Sequence, residues 1–222
     1  MPAARGLMRL LSWVSPAFPT GSYAYSHGIE WAVEAGDIRD IETLCLWLAA
    51  LIDHGTVGND LVIIGAAWDS YQDMTTLRSI AEFACACASS RERFEETVYQ
   101  GEAFLKAARV WDIVPPVYEM ECVRWPLPVA QGMVFHWGGI TRAQAVLSGG
   151  YASLAALVSA AVRLVPLGQT DGLRALVRLE PMLEAAVLAA SFRTLEDIGG
   201  MCFRSDIASM HHETQTTRLF RT

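Results

Sequence analysis

The sequence predicts an all-α fold, a single bundle of roughly ten helices built from one domain over residues 1–222. Three observations predict it. Apolar residues recur at three- and four-residue spacings along most of the chain, the mark of helices with one buried face. Strand signals are scarce: no stretch alternates convincingly, and the one "DG", Asp171-Gly172, falls between helical segments and not in a hairpin. Composition adds a third: 52% of residues are hydrophobic and 18% charged, fewer charges than the roughly 25% usual in soluble domains. Much helical surface must then be covered, and an oligomer or complex is expected.

The elements follow in order. "MPAARGLMRLLSWV" sets Arg5 and Arg9 before a short apolar run; it lacks the long apolar core and small-residue cleavage site of a signal peptide and reads as an amphipathic first helix. "SPAFPTGSYAYSHGIEWAVEAG", Ser15 to Gly36, reads as a helix from Ser22 to Ala35 stopped by Gly36. One face would carry Ala24, His27, Gly28, Trp31, Ala32 and Ala35, with Gly28 admitting another backbone. Trp31 and Ala32 are read as docking this helix into its own bundle, while Tyr25, Ser26 and Glu30 are candidates for a partner contact, tyrosine being enriched at interface hot spots.

Further on, Leu44, Trp47, Leu48, Leu51 and Ile52 form a buried stripe with Asp40 as its cap. Ile80, Phe83, Ala84 and Cys87 repeat the pattern. Ser89 and Glu92 match a capping box that opens a helix with Phe94, Val98, Gly101, Leu105 and Ala108 on one face, an i, i+4 pair Glu102–Lys106, and Pro115-Pro116 as its stop. Pro126 to Val162 holds a single charge, Arg142, and marks the centre of the bundle. The twenty uncharged residues between Arg142 and Arg163 match a membrane span in length. Gly149, Gly150, Ser148, Ser153 and Ser159 dilute them, and Leu154, Leu157, Val158, Ala161, Val162 and Val165 make a stripe, so a buried bundle helix is expected and no membrane association. Arg163, just before Pro166, suits the negative end of that helix.

Several chemistries are excluded by what the chain lacks. A net charge of -7, a pI near 5.2 and one lysine, Lys106, do not suit a nucleic-acid binder, which needs clustered cations. Five cysteines without regular spacing make no disulfide framework; Cys45, Cys85, Cys87 and Cys122 read as buried thiols in a reducing cytoplasm. Neither a P-loop, a G-x-G-x-x-G nor a G-x-S-x-G occurs. "HHETQT" puts Thr216 where the zincin motif requires its second histidine. His211 and His212 would point about 100° apart on a helix, and Cys85 and Cys87 also diverge, so neither pair defines a metal site. Glu95 with Glu96, and Glu119 with Glu121, read as solvated acids. With no nucleophile beside a base, neither catalysis nor a cofactor is expected.

The C-terminal stretch "DIASMHHETQTTRLFRT" is polar, yet Leu219 and Phe220 stand between Arg218 and Arg221, the composition of a tail that folds on binding. Residues 204–222 are taken as that tail.

Four segments together run the length of the chain: "SPAFPTGSYAYSHGIEWAVEAG", "SSRERFEETVYQGEAFL", "SAAVRLVPLGQTDG" and "IASMHHETQTTRLFRT". On them the chain resembles the UreF family of urease accessory proteins. The resemblance implies a non-enzymatic, cytoplasmic, all-α homodimer that joins the accessory protein UreD (UreH in some systems) and the GTPase UreG, binds apo-urease through that complex and helps deliver nickel to the carbamylated lysine of the urease active site. Carried over by position, His212, Glu213, Gln215, Arg218, Leu219, Phe220 and Arg221 would contact UreD/UreH. Arg163 and Gln169, with Tyr25, Ser26 and Glu30, would face the dimer partner or the GTPase. Two alternatives stay open: a GTPase-activating regulator that inserts Arg163 into UreG, and a metallochaperone that carries nickel on His211 and His212.

Overall fold

Helix α4, Thr56–Asp69, holds the centre of the molecule because it has almost no outward face: Leu61, Val62, Ile63, Ile64 and Ala67 are all buried. Around it the computed structural model, which describes residues 2–113 and 123–221, arranges α1 (Pro2–Trp13), α2 (Ile29–Glu34), α3 (Ile41–Asp53), α5 (Met74–Ala86), α6 (Arg91–Ala108), α7 (Leu127–Trp137), α8 (Arg142–Leu164), α9 (Gln169–Ala190) and α10 (Phe203–His212). The fold is all-α, with no strand among the described residues. The expected elements Pro115, Pro116, Glu119, Glu121 and Cys122 lie outside the described residues.

The stretch of lowest charge is indeed the inner layer. Every residue of α7 from Pro128 to Phe135 is buried, and α7 and α8 pack along α4. Gly132 makes the α4–α7 approach possible: a Cβ there would stand 2.6 Å from the Ile64 carbonyl oxygen. Half of the most apolar window of α8 is buried against its neighbours, including Leu154, Leu157, Val158 and Ala161. It is the one helix among the described residues long and apolar enough to cross a bilayer, and its packing is that of a core helix. Arg142, the lone charge of the segment, pairs with Asp69 at the end of α4 at 2.9 Å.

Asp40 caps α3 as expected, accepting from the Thr43 N–H at 2.8 Å, and the whole Leu44–Ile52 stripe is buried. Elsewhere local rules give way. Ser90, not Ser89, caps α6 by accepting from the Arg93 N–H, and Glu92 turns inward to cations instead of closing a capping box. Glu102 pairs with Arg124 at 3.2 Å across the bundle, in place of the local pair with Lys106. Cys87 is exposed at the end of α5, not buried, while Cys45 and Cys85 are partly buried.

The largest departure is at Ser22 to Ala35. A 3-10 turn, Ser22–Ala24, is followed by extended Tyr25 and by left-handed His27 (φ 58°) and Gly28 (φ 78°); only Ile29–Glu34 are α-helical. Two successive left-handed residues cannot continue a helix, so the anticipated single face from Ala24 to Ala35 does not form. The break comes where α10 presses on the chain. A Cβ on Gly28 would lie 2.8 Å from the Ser209 backbone nitrogen, so the expected close approach is real and its partner is α10. Gly36, at φ 80°, ends the element as anticipated.

Candidate functional site

Three helix ends meet at one point. Glu30 stands in the first turn of α2, Glu92 in the first turn of α6, and His212 in the last turn of α10. Helix N-termini favour carboxylates and a C-terminus favours a cation, so backbone dipoles support this grouping. His212 is fully buried, with Nδ1 2.7 Å from Glu92 Oε2 and Nε2 3.1 Å from Glu30 Oε2.

The chain beyond α10 then wraps over the same carboxylates. Gln215 donates to Glu34 at 2.6 Å, and Arg218 reaches Glu92 Oε1 at 2.7 Å. The backbone N–H groups of Leu219 and Phe220 donate to the two oxygens of Glu30 at 2.6 and 2.9 Å. Glu213 accepts from the Arg91 N–H at the start of α6. Phe220 is buried beneath Arg163, and the Arg221 N–H donates to the Ala24 carbonyl at 2.8 Å. Burial pushes the Tyr25 hydroxyl above its ordinary pKa, and a hydrogen bond from Arg221 partly offsets this. Ser26 is buried and accepts from the Glu30 N–H at 3.3 Å.

Residues singled out in three distant parts of the sequence are therefore brought into one cluster: Tyr25, Ser26 and Glu30, Arg163, and the tail. Their place differs from the expectation. Tyr25, Ser26 and Glu30 do not face outward; they are buried, and Glu30 and Tyr25 bond the tail directly. Within the tail, His212 and Phe220 point inward, whereas Arg218, Leu219 and Arg221 are exposed and Glu213 and Gln215 half-exposed. Gln169 is exposed at the start of α9 and is not part of the cluster.

Beside the tail lies a cavity of about 180 Å³ whose wall includes Trp13, Tyr25, His27, Asp60, Arg93 and Glu96. His27 Nε2 is 2.8 Å from the Thr56 hydroxyl and its Nδ1 3.9 Å from Glu96, which is ion-paired with Arg93. Burial, aided by Arg93, holds the His27 pKa well below its ordinary value, so this imidazole is neutral. Asp60 keeps part of its surface accessible, but burial of its carboxyl group pushes the pKa up to about 7 against the pull of Arg93. Asp60 and Arg93 were not anticipated, and Glu96, read from the sequence as a solvated acid, is instead buried and paired with Arg93. A signal existed: Glu92, Glu96 and Gln100 recur every fourth residue and are all buried, a polar stripe on an inward face of α6.

His211 leaves the cluster and stacks on Trp31, ring centroids 4.6 Å apart, so the two histidines diverge. Among the described residues no group of three or more His, Cys, Asp or Glu side chains is arranged to hold a metal ion. The arrangement holds polypeptide: two inward carboxylates that collect backbone donors and cations from a single returning segment.

The UreF family model matches residues 38–180. The urease accessory protein UreF of Bradyrhizobium diazoefficiens is 46% identical over 98% of this chain and 92% of its own length. That of Rhodopseudomonas palustris strain BisB18 is 45% identical over 98% and 92%, and that of Agrobacterium fabrum 41% identical over 97% and 96%. The chain belongs to the UreF family.

Proposed function

We propose that the chain is a non-catalytic, cytoplasmic adaptor of urease maturation, which as a homodimer joins UreD/UreH and the GTPase UreG so that apo-urease receives nickel. The observation that supports this best is the tail, whose backbone is held by Glu30 while Leu219 is exposed between Arg218, which pairs with Glu92, and Arg221, which bonds Tyr25. A preformed segment of this kind presents an apolar residue between two cations at little ordering cost. In this reading Glu213, Gln215, Arg218, Leu219 and Arg221 touch UreD/UreH, and the inward His212 and Phe220 set the shape of that surface. Tyr25, Ser26 and Glu30 support it from below. Arg163 and Gln169 belong to the face toward the dimer partner or the GTPase.

Two other readings draw less support. Arg163 lies over Phe220 and donates to the Ser159 carbonyl, so a role inside the GTPase would require it to leave both. The rings of His211 and His212 are engaged by Trp31 and by two glutamates, which disfavours nickel carriage on that pair. The adaptor reading is tested by co-expressing urease with the UreD/UreH and UreG counterparts, with and without the full chain. Nickel-loaded, active urease only with the chain, and one complex containing all three accessory proteins, are the expected results. Equal nickel content without it overturns the reading.

A further inference from the structure

Helix α9 is apolar on two sides. Gly172, Ala175, Leu179, Leu183 and Ala190 are buried, where the helix packs on α3, α4 and α8. Leu173, Val177 and Leu188 are 64%, 61% and 65% exposed, with Pro181, also exposed, between them. At about 100° per residue these four lie within about 40° of a line through Val177, and the buried set lies across the helix from it. One buried stripe is enough to dock a surface helix, so the outer stripe is surplus to the fold of a single chain. The surplus runs onto α3: Leu46 is 71% exposed one turn beyond Glu42, with which Arg178 of α9 pairs.

The charges around the stripe select what covers it. Glu184 stands within the stripe, and Arg174 and Arg178 border its N-terminal half, all three exposed. Glu180 is on the flank opposite the arginines. A carboxylate covered by an apolar partner would lose its hydration without compensation, so the occupant must bring a cation to Glu184 and apolar groups to its neighbours. This helix supplies both. Arg178 stands three residues before Pro181 and Glu184 three after; Leu173 stands eight before and Leu188 seven after. A second α9 running antiparallel about a two-fold axis at Pro181 therefore sets Leu173 against Leu188 of the second copy and Arg178 beside Glu184 of the second copy, each contact made twice. A parallel pair would set Glu184 against Glu184.

We propose that the outer face of α9 is a contact between two copies of this chain, packed antiparallel about Pro181. It is continuous with Gln169, the first residue of α9, which the adaptor reading turns toward the dimer partner or the GTPase. The assignment rests on the homodimer of that reading and names the surface that forms it. The pairing covers Leu173, Val177 and Leu188 on both copies and extends toward Leu46, the cover that a chain 52% hydrophobic and 18% charged calls for.

The experiment is sedimentation equilibrium of the full-length chain over a range of concentrations, with Tm measured alongside. A wild-type dimer is expected. Val177→Glu, at an exposed helical position, should keep its Tm and weaken dimerisation by about thirtyfold or more. Arg178→Glu and Glu184→Arg should each weaken it by about tenfold, by setting like charges side by side, and the double variant should return it to within about threefold of wild type. Loss of the exposed pair with Glu42 is common to Arg178→Glu and the double variant, so it does not account for the recovery. A dimer unaffected by Val177→Glu, or a double variant no better than the single ones, overturns the assignment and leaves the homodimer to another face. A wild-type chain that stays monomeric throughout overturns the assignment and the homodimer together.

Discussion

Arg163 lies over the ring of Phe220, its guanidinium carbon 4.2 Å from the ring centroid. The contact ties the last turn of α8 to the end of the tail, and the two residues contribute unequally. Phe220 is buried, so Phe220→Ala removes apolar burial and leaves a hole, a loss of about 3 kcal/mol in tail closure. Arg163→Ala removes an exposed cation–π contact worth about 0.5–1 kcal/mol. Hydrogen exchange at the Arg221 amide, which donates to Ala24, measures both; equal losses would contradict this division.

Gly28 is held by two separate constraints, a left-handed backbone and the Ser209 backbone 2.8 Å from where its Cβ would stand. Gly21 shares only the first, since at φ 76° its Cβ would meet open space. Gly21→Ala should therefore cost roughly 1–2 kcal/mol for the conformation alone. Gly28→Ala should cost more, lowering Tm by roughly 5–10 °C, because neither backbone can move aside cheaply. Thermal melts of the two variants decide it, and equal Tm values would show that the α2–α10 contact is soft.

Asp60 and His27 give the cavity opposite pH dependences. The Asp60 pKa is raised to about 7, so its contribution to stability is full below the unfolded carboxylate pKa of about 3.9 and is lost as pH rises toward 7. Asp60→Asn should leave stability unchanged near pH 4 and increase it near pH 8. The His27 pKa is depressed, so its contribution is present above the unfolded value of about 6.5 and is lost as pH falls. His27→Gln should flatten the acid side only. Denaturant titrations across pH read both, and a stabilisation by Asp60→Asn that is equal at both ends would contradict the burial argument.

Much of the fold was legible because helices announce themselves locally. The Leu44–Ile52 stripe and the Asp40 cap depend on neighbours within one or two turns, and both stand as read. What failed was local chemistry overruled by distant partners. Ser22 to Ala35 has a plausible helical pattern, but α10, far along the chain, imposes a left-handed break at His27 and Gly28. Glu92 has a capping spacing, yet Arg218 and His212 draw its carboxylate inward. The site was half visible: Tyr25, Glu30 and the tail residues stood out by type, but that they bind one another depends on a chain reversal no local spacing encodes.

In the proposed adaptor function, the exposed residues of the closed tail contact UreD/UreH. The most direct test of this contact is the affinity of the full-length chain for its UreD/UreH counterpart, compared with Leu219→Asp, whose side chain is exposed and whose N–H still serves Glu30. An unchanged Tm together with Kd weakened by about thirtyfold or more, the effect of losing an interface hot spot worth about 2 kcal/mol, is the predicted result. An unchanged Kd would contradict the account and move the contact away from the tail.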